Sequence, residues 1–109
     1  MDIKDVYQMF EESYCYQIQN ECGIAHYFVF PNGYGVKASK NVFTLGYRKD
    51  LWELTVIKIR KKEYLKDLQE VFFDENKCKI LEVSDFLSED SMLDIMKIIS
   101  NLPENYEKY

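Results

Sequence analysis

The chain has 109 residues, 47% of them hydrophobic and 16% aromatic, with four glycines and two prolines. That is enough for one domain burying roughly two-thirds of its unfolded surface, and the composition excludes the disordered and fibrous classes. A net charge of −5 weighs against non-specific nucleic-acid binding, three cysteines cannot all pair, and no apolar run approaches a membrane span. With no signal-peptide pattern, the expectation is a reduced, cytosolic protein without a membrane partner.

The charge is unevenly placed. Between positions 31 and 62 lie eight bases (Lys37, Lys40, Arg48, Lys49, Lys58, Arg60, Lys61, Lys62) and two acids (Asp50, Glu53), a local +6 that leaves −11 on the rest. The single tryptophan and three of the four glycines fall in the same stretch.

Asp2 and Asp5 open a helix with negative charge at the positive end of its dipole, and Ile3, Val6, Tyr7, Phe10, Tyr14 and Ile18 recur at helical spacing. This predicts a helix over residues 3–17, ended by Gly23. The run IAHYFVF at 24–30 is aromatic and β-branched, hence a strand. Pro31-Asn32-Gly33 supplies a fixed φ and a tolerated positive φ for a turn, and residues 34–39 alternate apolar and polar as the second arm of a hairpin.

Lys40-Asn41 reads as a turn, residues 42–47 as a third strand, and Arg48-Lys49-Asp50 as another turn. Residues 51–59 place Leu54, Val56 and Ile57 on both faces, as a central strand does. Tyr64, Leu65, Leu68, Val71 and Phe72 give a short helix over 62–70; residues 78–83 give a short strand. Ser88 caps a helix with Glu89 and Asp90 in its first turn; Met92, Ile95, Met96, Ile99 and Leu102 form its apolar stripe, and Pro103 stops it. Residues 104–109 read as a frayed end. The expected fold is α+β: a single domain with a three- to four-stranded antiparallel meander and the N- and C-terminal helices packed on one face.

The sequence Asn32-Gly33-Tyr34-Gly35-Val36, the pair Gly46-Tyr47 and the run Leu51-Trp52-Glu53-Leu54-Thr55-Val56 resemble a family of small bacteriophage and prophage proteins. Those carry an N-G-Y-G-x-S-V turn and strand, an aromatic-glycine strand and a G-L-W-E-L-A-V strand. They close with a leucine–threonine pair before an acidic helix start, similar to Leu87-Ser88-Glu89-Asp90. The likeness spans residues 30–102. Asp50 stands at the glycine of the tryptophan strand, and a longer 61–73 segment replaces a short polar link. The resemblance implies an α+β core and a phage setting, and no reaction, cofactor or catalytic residue.

Candidate chemistry is sparse. Cys15, Cys22, His26 and Cys78 have the residue types of a zinc site without its spacing, so ordinary buried thiols and no metal are expected. His26 is the only histidine, and no serine sits in a nucleophile elbow. Gly33 and Gly35 lead into a strand where a phosphate loop needs a helix. Asp74, Glu75, Glu82 and Asp85 gather at most as solvated charge, and Trp52 reads as core. No enzyme and no cofactor are expected.

The patch with functional content interleaves bases with the aromatics Tyr34, Phe43 and Tyr47, and its expected binding residues are Tyr34, Lys37, Lys40, Tyr47, Arg48 and Lys49. It suits a host or phage protein as partner, an anti-defence (anti-CRISPR-like) inhibitor being one such case. Single-stranded nucleic acid is the alternative partner, because bases and aromatics on one sheet face hold single strands.

Overall fold

The computed structural model describes residues 3–66, 68–104 and 106. Asp2 and four of the residues assigned to a frayed end (105 and 107–109) lie outside them. In chain order the elements are α1 (Ile3–Met9), β1 (Tyr14–Asn20), β2 (Gly23–Val29), β3 (Tyr34–Asn41), β4 (Trp52–Ile59), β5 (Cys78–Leu87) and α2 (Glu89–Ser100). The five strands lie side by side in chain order, each antiparallel to the next. The class is α+β, and the sheet has five strands rather than the three or four expected.

The extra strand comes from the first expected helix. That helix stops after Met9 in a turn, with Ser13 N–H donating to Phe10 C=O at 2.9 Å. Residues 14–20 then pair with β2, Tyr14 opposite Val29 and Asn20 opposite Gly23. Tyr14 and Ile18 satisfy a period of four, but Tyr14, Tyr16 and Ile18 also satisfy a period of two. Cross-strand pairing decides between them: the Tyr16 and Tyr27 rings stack in parallel, 4.5 Å apart.

The β2–β3 turn forms as the sequence predicts. Gly33 takes φ +88° and donates its N–H to Phe30 C=O at 3.0 Å. Asn32 does more than turn the chain. Its Nδ2 donates to the carbonyls of Ile99 and Leu102, both at 2.9 Å, and so ties the turn to the end of α2. At the other end of α2, Ser88 Oγ accepts from Ser91 N–H at 3.2 Å, the expected cap.

One sheet face carries both helices. Val6 and Phe10 from the N-terminal side, with Met92, Leu93 and Met96 from α2, pack on Phe28, Phe30, Val36, Ala38, Trp52 and Leu54. Trp52 is 4% exposed; its Nε1 donates to Glu89 Oε1 at 3.1 Å, and Lys40 Nζ lies 4.2 Å from its ring centroid. It belongs to the core.

The opposite face is covered over half its area, by the chain between β4 and β5. Tyr64, Leu65, Leu68, Val71 and Phe72 lie on Val29, Ile57, Ile59 and Cys78. The expected helix over 62–70 is replaced by two 3₁₀ turns, Lys62–Lys66 and Val71–Phe73. Tyr64 and Leu65 from the first turn, Leu68 between the turns, and Val71 and Phe72 from the second supply the apolar groups that meet the sheet without α-helical winding.

Candidate functional site

The other half of that face is open. Ile18, Ala25, Lys37, Thr55 and Val83 share it, by register, with Ser39 and Glu53, and Asp85 falls in the register shift of β5 beside Glu53. Phe43 and Phe73 stand at its borders and enclose, with Ile18, Ala25, Tyr27 and Lys37, a shallow concavity of about 310 Å³. Tyr27 floors it under the edges of Phe72 and Phe73, at centroid distances of 5.0 and 5.8 Å, and Lys37 Nζ lies 5.9 Å from the Tyr27 ring.

The expected strand over 42–47 is instead an irregular connection, and Asn41 is the cause. Asn41 Oδ1 accepts from Phe43 N–H at 2.8 Å, while Thr44 Oγ1 donates to Asn41 C=O at 2.8 Å. These side-chain bonds offer the backbone a turn in place of a ladder. Gly46 C=O then accepts from both Lys49 N–H and Leu51 N–H, each at 3.0 Å. Thr44 is buried by this, and its apolar neighbours are turned out: Val42 is 52%, Phe43 82% and Leu45 69% exposed, with Tyr47 exposed beside them. Four large apolar groups within six residues of a well-bonded connection make a patch of the kind that marks interaction sites.

The six residues singled out in the sequence do not share a face. Tyr34 is 8% exposed in the helix-side core, and Lys40 lies on that same side, its Nζ 2.8 Å from Asp50 Oδ1 and over Trp52. Lys37 is on the open face. Tyr47, Arg48 and Lys49 form a 3₁₀ turn at the sheet end, with Lys49 Nζ 5.7 Å from the exposed Phe86 ring. Lys37, Tyr47, Arg48 and Lys49 therefore surround the apolar patch, while Tyr34 and Lys40 are part of the packing behind it. Val42 and Leu45 were missed, and Phe43 was placed in the patch without being counted among its binding residues. The Asn-x-x-Thr spacing before them was the available signal.

A polar cluster lies at the other side of the open half. Glu53 on β4 neighbours Asp85 on β5. Burial raises the Glu53 pKa, the Asp85 carboxyl beside it raises it further, and the Lys37 ammonium opposes them. Pairing between β4 and β5 is irregular between Trp52 and Leu54, and Phe86 sits at φ +60°, a left-handed conformation rare for a bulky residue. Such a bulge re-aims side chains, which is how Asp85 comes to meet Glu53. Ser39, directly opposite Glu53 in the register, is 2% exposed. Its Oγ and Asp85 Oδ1 are both buried without a hydrogen-bond partner. The other acids of the sequence reading are elsewhere: Asp74 Oδ1 caps a turn by accepting from Asn76 N–H, and Glu82, opposite Val56, faces the helix side.

On the helix side, His26 Nδ1 lies 2.6 Å from the Tyr7 hydroxyl at the wall of a cleft of about 490 Å³ that includes Ile3, Ile24 and Gln17. Burial, then Lys40, lowers the His26 pKa; burial, then Cys15, pushes that of Tyr7 up to about 12. A neutral imidazole and a protonated phenol pair as O–H donor to Nδ1, which is a core bond rather than a poised base. Cys15, Cys22 and Cys78 are free thiols, and burial raises the pKa of Cys15 and Cys78, which makes them poorer nucleophiles. Among the described residues no three His, Cys, Asp or Glu side chains converge as metal ligands, and no helix is long and apolar enough to cross a membrane. Compared with known protein families, curated proteins and solved structures, the chain matches none of them.

Proposed function

We propose that the protein is a non-enzymatic binding module that docks on another protein through the 42–47 connection and the open half of the sheet. The observation that carries this reading is the outward set Val42, Phe43 and Leu45, held by the Asn41–Thr44 bonds and ringed by Lys37, Tyr47, Arg48 and Lys49. An apolar centre with a charged rim is the anatomy of a protein interface, the rim setting orientation and on-rate. The likeness to phage and prophage proteins gives the partner's setting, a host or phage protein in a bacterial cytoplasm, with inhibition of a defence system as one form of the activity.

Single-stranded nucleic acid is the second reading, favoured by the exposed bases at the sheet end. Against it, Tyr34 and Lys40 are committed to packing, which removes one of the two tyrosines and one of the four bases from the stacking and phosphate-contacting set. The test is affinity capture from the bacterial host, scored for protein and nucleic acid, with Phe43→Asp, Leu45→Asp and the distant surface control Ile98→Asp. Docking on the patch predicts a protein lost with the first two variants and kept with the third. Capture of nucleic acid that falls steeply with added salt, or of a protein indifferent to Phe43 and Leu45, would overturn it.

A further inference from the structure

We propose that the free edge of β5 pairs with the same edge of a second copy of this chain. The two strands run antiparallel about a two-fold axis at Ile80–Leu81 and join the two sheets into one.

β5 is the longest strand of the sheet, at 10 residues, and lies at its edge, paired with β4 alone. Among the described residues, no backbone hydrogen bond joins 79–87 to any other part of the chain. Proteins commonly blunt such an edge by keeping it short or by placing proline on it. Here the strand has no proline, and Ile80, Leu81 and Val83 are 61%, 45% and 51% exposed along it. A row of open backbone groups flanked by apolar side chains is a template for another strand.

A bulge in β5 makes the strand complementary to itself. Lys79 stands opposite Lys58, Ile80 opposite Ile57 and Glu82 opposite Val56, so Leu81 is an extra residue. Lys79 and Glu82 therefore share the helix side, while Cys78, Ile80 and Val83 share the other. A two-fold axis normal to the sheet preserves its faces, so residues that meet across it must lie on the same face. With the axis at Ile80–Leu81, Lys79 meets Glu82 of the second copy and Glu82 meets its Lys79. The two extra residues face each other, which keeps the new ladder regular. An axis at Lys79 or at Glu82 sets like charges opposite, and an axis at Val83 pairs no opposite charges. On the other face Val83 comes opposite Cys78 of the second copy, beside a concavity of about 370 Å³ that Phe72, Phe73, Cys78 and Ile80 help to line. The opposite edge, β1, is YCYQIQN and carries no charge to complement. Both open half-sheets then face the same side of one sheet, so the pair carries two docking surfaces.

The experiment is sedimentation equilibrium of the whole chain across its soluble concentration range. A monomer–dimer equilibrium that stops at two copies is expected. Lys79→Glu and Glu82→Lys should each weaken self-association at least about ten-fold, because each sets two like-charged pairs opposite one another. Mixed in equal amounts, the two variants should associate with each other, since both pairs are then opposite in charge. That association also shows that each variant is folded. Phe43→Asp should dimerise as the wild type does, so edge pairing and the docking patch are read separately. A chain that stays monomeric at every concentration, a dimer indifferent to both charge reversals, or mixed variants that ignore each other would each overturn the pairing. Growth beyond two copies would overturn it too, being the mark of β5 joining the β1 edge head to tail. So would a monomer whose capture of a host protein is lost with Lys79→Glu, the mark of β5 adding to a partner's sheet.

Discussion

Removing the Trp52 side chain tests the packing on which everything else is mounted. The indole is 4% exposed, meets His26 edge-on at 5.5 Å, donates to Glu89 at 3.1 Å and supports the Lys40 ammonium at 4.2 Å. Trp52→Ala therefore opens a large cavity between β4 and α2, removes the ring beneath Lys40, whose ammonium keeps its pair with Asp50, and takes away the indole N–H from Glu89. Large aromatic truncations in cores cost about 3–5 kcal/mol, roughly a fifth or more of the ~5–15 kcal/mol that holds a domain folded. Trp52→Phe keeps part of the volume and loses the N–H, and about 1–2 kcal/mol is expected from that bond and the residual void. The assay is urea unfolding followed by far-ultraviolet circular dichroism, since the variants lack the only tryptophan fluorophore. Midpoints should order as wild type, then Phe, then Ala, with unchanged slopes. An Ala variant that unfolds with the wild type, or a Phe variant as unstable as Ala, would refute the reasoning.

Three further outcomes follow from the same geometry. Gly23→Ala should destabilise by about 1–3 kcal/mol by urea titration, because φ is +148° and a Cβ there would lie 2.3 Å from the Lys40 carbonyl oxygen. Ser88→Ala should cost about 1 kcal/mol by thermal melting through the bare Ser91 N–H at the start of α2. Glu53 has a folded pKa raised above the ordinary 4.5, so its contribution to stability is full below about that pH and is lost as pH rises through the folded value. The stability difference, wild type minus Glu53→Gln, should accordingly fall with rising pH over that window; a rising difference in paired urea titrations would show the sign is wrong.

The sequence was legible where one period and one turn residue agreed. Pro31-Asn32-Gly33 between two β-rich runs, Ser88 before an acidic first turn, and the two-faced 52–59 run each mapped to the expected element. It misled where two periods coexisted, as in 14–18, where pairing with β2 is a tertiary effect no local pattern contains, and in 62–70, where the same apolar residues lie on the sheet from short turns in place of a helix. β-rich composition in 42–47 was overridden by Asn41 and Thr44 side-chain bonds to the backbone. The candidate site was half visible. Lys37, Tyr47, Arg48 and Lys49 were marked by charge and aromaticity, but the Glu53–Asp85 contact depends on a bulge and a left-handed Phe86 that no spacing announces.

Amide hydrogen exchange on the chain, free and bound to the partner it captures, tests the docking surface most directly. Docking as proposed predicts slowed exchange in the 41–47 connection and in residues 83–86 of β5, with α1 and α2 unchanged. Protection confined to the helices, or to the covered half of the sheet under residues 61–77, would contradict it.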